Sequence, residues 1–159
     1  VAMMVLIVGL PGAGKSSWAR KVEADRQALR LTPDEWMHAL FGAGEADGRR
    51  WVLESELLWS IAARTLALGV DVILDYGCWS EEERELFRTR AAQQGASTQL
   101  VLLDPPFEVL SARIEQRNAN LPPATFPIKQ SDLRDYQAQF ERPTTKELQR
   151  WDQRLVLTD

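Results

Sequence analysis

Residues 5–17 read VLIVGLPGAGKSS, and this stretch decides the fold. A short apolar run leads straight into a glycine-rich turn, followed by Lys15, Ser16 and a segment suited to a helix. Gly9, Gly14, Lys15 and Ser16 satisfy the pattern GxxxxGK[ST] with the expected strand before it. Glycine lets the backbone approach an anion with no Cβ in the way. Successive N–H groups of such a turn form a nest that wraps a phosphate. The pattern assigns Lys15 to the β- and γ-phosphates and the Ser16 hydroxyl to Mg²⁺. A plain strand–helix turn would account for the glycines but not for Lys-Ser at the helix start. The residues expected to cradle the phosphates of ATP are Gly9, Pro11, Gly12, Ala13, Gly14, Lys15, Ser16 and Ser17.

Outward from this turn, Met3 to Val8 reads as a first strand whose continuous apolar run suits a parallel strand covered on both faces. Lys15 to about Ala24 reads as a helix, and Ala28 to Leu31 as a short second strand. In LTPDEW, Thr32 can cap a helix, Pro33 fits its first position and Glu35 sits where a capping box places an acid. Asp34 then falls in the first turn, just past the end of strand 2, on the edge where open parallel sheets bind ligands. It is either an acid that favours the helix dipole or a general base that accepts a hydroxyl proton, and position alone leaves both readings open.

The glycine-rich loop 42–48 has no periodicity. Arg49 to Leu68 reads as one long amphipathic helix. Val70 to Leu74 reads as strand 3, ending on Asp75, the usual shape of an acid that serves the Mg²⁺ shell. Tyr76, Cys78 and Trp79 would line the mouth of the same cleft. Ser80 with Glu83, and Thr144 with Glu147, mark two more helix starts. Thr98 to Leu103 reads as strand 4. On the helix after it, Arg113 and Arg117 stand four residues apart on one side. The proline-rich NANLPPATFP beyond them cannot be helical throughout. Paired arginines before such a loop suit a lid at about residues 113–130 that matches charge on a transferring phosphoryl group. Leu155 to Leu157 would be the last strand.

The composition sets outer bounds. A chain of 159 residues, 45% hydrophobic and 26% charged, is expected to form a single domain over residues 1–159. A net charge of -4 argues against a broad nucleic-acid footprint, though not against a local basic pocket. A single cysteine excludes an internal disulfide and fits a reducing, cytoplasmic setting. The apolar opening is too short for a membrane span. One histidine, His38, and one cysteine give no transition-metal site. Monomer and homodimer are both open.

VGLPGAGKSSWA, LTPDEW, ILDYGCW, VLSARIEQRN and FPIKQSDLRDYQAQFERPT together cover nearly the whole chain. In these stretches the sequence resembles the P-loop kinases of the AAA_33 type, a group with the polynucleotide 5'-hydroxyl kinase domain, zeta-toxin relatives and chloramphenicol phosphotransferase. The resemblance implies a three-layer α/β P-loop NTPase fold, a parallel sheet of order 2-3-1-4-5 and a helical lid. It implies Asp34 as catalytic base, Asp75 as the strand-3 acid beside Ser16 at the metal, and Arg113 and Arg117 as lid arginines acting with Lys15. It places the nucleotide base near Arg142 to Thr145, with Arg142 a nucleotide contact. In the polynucleotide branch an arginine follows the base by four residues; here that position holds His38, which is largely neutral near pH 7. The resulting expectation is an ATP- and Mg²⁺-dependent phosphotransferase acting on a hydroxyl of a small molecule. The alternatives are a polynucleotide 5'-hydroxyl kinase and a nucleotide-binding regulatory protein with slow hydrolysis.

Overall fold

The computed structural model describes residues 1–159. Five strands alternate with helices: β1 (Met3–Val8), β2 (Leu29–Leu31), β3 (Val72–Gly77), β4 (Ser97–Leu103) and β5 (Gln153–Leu157). They form one all-parallel sheet in the order β2-β3-β1-β4-β5. Parallel neighbours need crossovers, so the sheet is covered by the helices between its strands. This explains why β1 and β3 are buried along their full lengths, with Met4, Val5, Leu6, Ile7 and Val8 fully enclosed. The edge strands β2 and β5 are short or exposed. The expected order 2-3-1-4-5 is the one found.

The helices are α1 (Lys15–Arg26), α2 (Pro33–Phe41), α3 (Arg49–Val52), α4 (Leu58–Ala67), α5 (Glu81–Gln93), α6 (Phe107–Ala119), α7 (Gln130–Gln139) and α8 (Thr145–Leu148). The expected single helix 49–68 is interrupted. A π turn over Leu53–Leu57 joins α3 to α4 and inserts an extra residue into the helical register.

Strand β3 extends further than its apolar run suggests, through Asp75 to Gly77. Leu6 pairs with Leu74 but Val8 pairs with Gly77, so Asp75 and Tyr76 share the place opposite Ile7. This bulge sits beside the phosphate-binding turn and re-aims both side chains. Asp71 marks the start of β3, where its carboxylate accepts the Met3 N–H at 2.8 Å and pairs with Arg26 at 3.4 Å.

Two capping expectations are only half met. Ser80 accepts the Glu83 N–H at 3.1 Å, and Thr144 accepts the Glu147 N–H at 3.2 Å. Neither glutamate returns the bond: Glu147 pairs with Arg84 inside the protein, and Glu83 lines the central cleft. Thr32 makes no side-chain cap at all, because its hydroxyl is drawn into the cluster around Asp75.

Candidate active site

The C-terminal ends of β1, β2 and β3 open into a cleft of about 800 Å³. The turn after β1 forms its floor. Gly12 and Gly14 adopt φ of 85° and 94°, the left-handed region that favours glycine. Gly9 is required for another reason: a Cβ there would stand 2.8 Å from the Leu103 carbonyl oxygen, a backbone atom that cannot swing aside. At Gly12 the added atom would meet Ile114 and the Leu110 carbonyl at 3.1 Å, so the turn also packs closely on α6.

Lys15 Nζ donates to the Leu10 carbonyl at 3.1 Å. Burial lowers its pKa, while Asp75 and Asp34 act to raise it. A desolvated ammonium on the floor of the cleft is matched by bringing a phosphate to it.

Ser16 Oγ donates to Asp75 Oδ2 at 2.8 Å, and Thr32 Oγ1 donates to the same oxygen at 3.0 Å. The neighbouring hydroxyl and carboxylate provide hard oxygen ligands of the kind Mg²⁺ takes. No group of three or more His, Cys, Asp or Glu side chains is placed to hold a metal ion.

Asp34 lies at the start of α2 and faces the cleft. Its Oδ1 accepts from Arg50 Nη1 at 2.5 Å, and Arg50 Nε also reaches Glu54 at 3.1 Å. Charge from Asp34 acts on both Lys15 and Arg117, so base candidate and phosphate-side cations share one space. Glu35 is not in a capping box; it pairs with Arg30 at 2.6 Å.

Arg113 and Arg117 both line the cleft from α6. Arg113 donates to the Gly12 carbonyl at 3.2 Å. Arg117 donates to the Phe126 carbonyl at 3.3 Å, and burial lowers its pKa. Arg117 Nε is buried without a partner. The loop 120–129 turns back over the cleft, and Phe126 packs against His38 with ring centroids 5.7 Å apart. Thus the only histidine contacts the loop over the cleft. Arg142 stands apart: it is half-exposed, pairs with Asp104 through two bonds and does not line the cleft.

Sequence reasoning gave Arg50 no definite role and missed Thr32 as a partner of Asp75. Thr32 follows strand 2 as Asp75 closes strand 3, and the two strands are neighbours in a sheet of this order. That adjacency was the available signal. For Arg50 there was none, because the loop 42–48 separates it from Asp34.

Comparison with known proteins agrees with this geometry. No curated protein matches the chain. Among solved structures, a candidate kinase from Chloroflexus aurantiacus superposes with a TM-score of 0.76 at 18% identity, covering 99% of this chain and 88% of that one. Kti12 from Chaetomium thermophilum, in complex with ADP-AlF3, gives 0.74 at 16%, covering 98% and 88%. The APS kinase CysC from Mycobacterium tuberculosis, in complex with AMPPNP and APS, gives 0.66 at 24%, covering 98% and 88%. These likenesses concern the fold. The family model AAA_33, described as an AAA domain, matches residues 4–143. Sheet order and phosphate-binding turn are those of a P-loop fold, and with the family match they show that the chain belongs to the AAA_33 family.

Proposed function

We propose that the protein is an ATP-dependent phosphotransferase that moves the γ-phosphoryl group to a hydroxyl of a small molecule. The observation that carries this reading is Asp34, a carboxylate that lines the same cleft as Lys15 and Arg117 and whose charge acts on both. The backbone of residues 9–17 would cradle the phosphates, with Lys15 against the β and γ groups. Ser16 and Asp75 would hold Mg²⁺, which when bound offsets charge on the phosphate oxygens. Asp34 Oδ1 is held by Arg50, which leaves Oδ2 to accept the proton of the acceptor hydroxyl. The acceptor oxygen then bonds to the γ-phosphorus as the bond to the β–γ bridging oxygen breaks, and ADP leaves. Arg113 and Arg117 would match the charge that spreads over the moving group. The loop 120–129 forms the lid that excludes water. A contact from Arg142 requires it to leave Asp104.

The test is transfer from γ-labelled ATP to a panel of alcohols, sugars, nucleosides and 5'-hydroxyl oligonucleotides. Asp34→Asn is expected to lower kcat/KM by about 10²–10⁴-fold, the usual worth of a positioned base. Lys15→Ala is expected to abolish transfer. Absence of labelled product with every acceptor, together with ATP loss unchanged in Asp34→Asn, would refute the reading. It would favour instead a regulatory protein that hydrolyses ATP slowly.

A further inference from the structure

The cleft carries charge of both signs. Lys15, Arg20, Arg113 and Arg117 line it with Asp75. Asp34, Glu45, Glu54 and Glu83 line it as well, and Arg50 pairs with two of them, Asp34 and Glu54. Glu35 also reaches the cleft, but Arg30 neutralises it. Resting on the phosphotransferase reading, we infer that the acceptor is a cationic hydroxyl compound, an amino alcohol or amino sugar, whose ammonium group is held by Glu54 and Glu83 beside the rings of Trp51 and Trp79.

Glu54 carries this assignment. It sits in the π turn, held there by its own carbonyl, which accepts the Tyr76 hydroxyl at 2.9 Å. Only 8% of the residue is accessible. Arg50 reaches one carboxylate oxygen; the other has no partner in the protein, and the residue lines the cleft. The free oxygen is open to the cleft, where a cation can reach it while the rest of the side chain stays enclosed. Glu83 adds a second carboxylate. In the helix cap only its N–H takes part, donating to Ser80 Oγ, and its half-buried carboxylate makes no ion pair.

The charge is mutually felt. Burial raises the Glu54 pKa to about 7, Arg50 opposes the rise, and Glu83 and Glu45 add to it. From β3 and the turn after it Glu54 is faced by Tyr76 and Cys78, both raised by burial and so uncharged. A bound cation would hold Glu54 ionised. Aromatic faces suit the same ligand: Trp79 lies 4.9 Å from the Tyr136 ring at the cleft wall, and Trp51 lines it from α3. A polyanionic acceptor would meet carboxylates at Asp34, Glu45, Glu54 and Glu83, where a nucleic-acid site needs positive charge.

The test has two arms. In the first, the full protein loaded with Mg²⁺ and a non-hydrolysable ATP analogue is titrated while its tryptophan fluorescence is followed. The probes are glucosamine, serinol and kanamycin, set against N-acetylglucosamine, glycerol and a 5'-hydroxyl oligothymidylate. At least one amine is expected to bind about tenfold or more tightly than the neutral probes, the worth of one close charge pair. Glu83→Gln and Glu54→Gln should each reduce that preference, and added salt should weaken it. Equal or tighter binding of the neutral probes or the oligonucleotide, or no preference for any amine, overturns the inference. In the second arm γ-labelled ATP replaces the analogue. Label on an amine probe supports both readings. Label on the oligonucleotide overturns the cationic acceptor but upholds phosphotransfer. Selective amine binding with no label on any probe and no effect of Asp34→Asn on ATP loss upholds the charge assignment and sinks the phosphotransferase.

Discussion

Replacing Glu147 with Gln is expected to destabilise the protein strongly, although the residue is remote from the phosphate turn in sequence. Arg84 Nε and Nη2 donate to the two Glu147 oxygens at 2.6 and 2.9 Å, and Arg84 Nη1 donates to the Cys78 carbonyl at 3.0 Å. The two side chains are 1% and 2% exposed. Glu147→Gln retains the N–H that Thr144 accepts, so the cap survives and the perturbation is one of charge. Breaking such a pair leaves a buried guanidinium uncompensated, at about 3–5 kcal/mol. At roughly 2–4 °C per kcal/mol for a chain of this size, the melting temperature should fall by about 6–20 °C. Arg84→Met with Glu147→Leu removes both charges and should recover most of the loss, because neither desolvation cost then remains. Urea unfolding and thermal melts followed by circular dichroism measure all the variants. A cost below about 1 kcal/mol for Glu147→Gln would mean that the pair is an ordinary surface contact. A double variant no more stable than the sum of its singles would equally refute the reasoning. The pair also tethers the segment that presents Trp79 and Glu83 to the cleft.

Two further outcomes follow from the same structure. Gly9→Ala should lower stability by about 1–3 kcal/mol, since its Cβ would collide with the Leu103 carbonyl and the turn must move; thermal melts with and without ATP check this, and the nucleotide should protect the variant less than the parent. Glu54 should make stability depend on pH. Its pKa is raised in the folded state from 4.5 to about 7, so its contribution is full below pH 4.5 and is lost as pH rises towards 7. The loss is roughly 3 kcal/mol. Urea midpoints over pH 4.5 to 8 should show this component in the parent and not in Glu54→Gln; the same slope in both would remove Glu54 from the account.

The sheet was legible because burial leaves a plain mark: β1 and the first part of β3 are apolar runs, and the turn after β1 carries a motif with a mechanism. Asp75 was legible for the same reason, as the acid that ends such a run. Partnerships across loops were not. Nothing in the spacing of Asp34 and Arg50 announces an ion pair, since loop 42–48 sets their approach. The three S/T-x-x-E patterns illustrate a second limit. A sequence shows that a hydroxyl and a carboxylate could cap a helix, but tertiary partners compete for both. Thr32 goes to Asp75, Glu147 to Arg84, and Glu35 to Arg30. The π turn was hidden because its apolar positions remain compatible with an ordinary helical stripe.

The bulge in β3 fixes a length in the cleft. In a regular strand two consecutive residues point to opposite layers, and one of Asp75 and Tyr76 would be lost to the core. With both opposite Ile7, the carboxylate that receives Ser16 and the ring that holds the carbonyl of Glu54 belong to adjacent residues. Their α-carbons are about 3.8 Å apart across one peptide bond. In the proposed phosphotransfer, the spacing between the nucleotide half and the acceptor half would be set along this line by covalent geometry. Lids and loops can rearrange around the cleft while this ruler stays the same length.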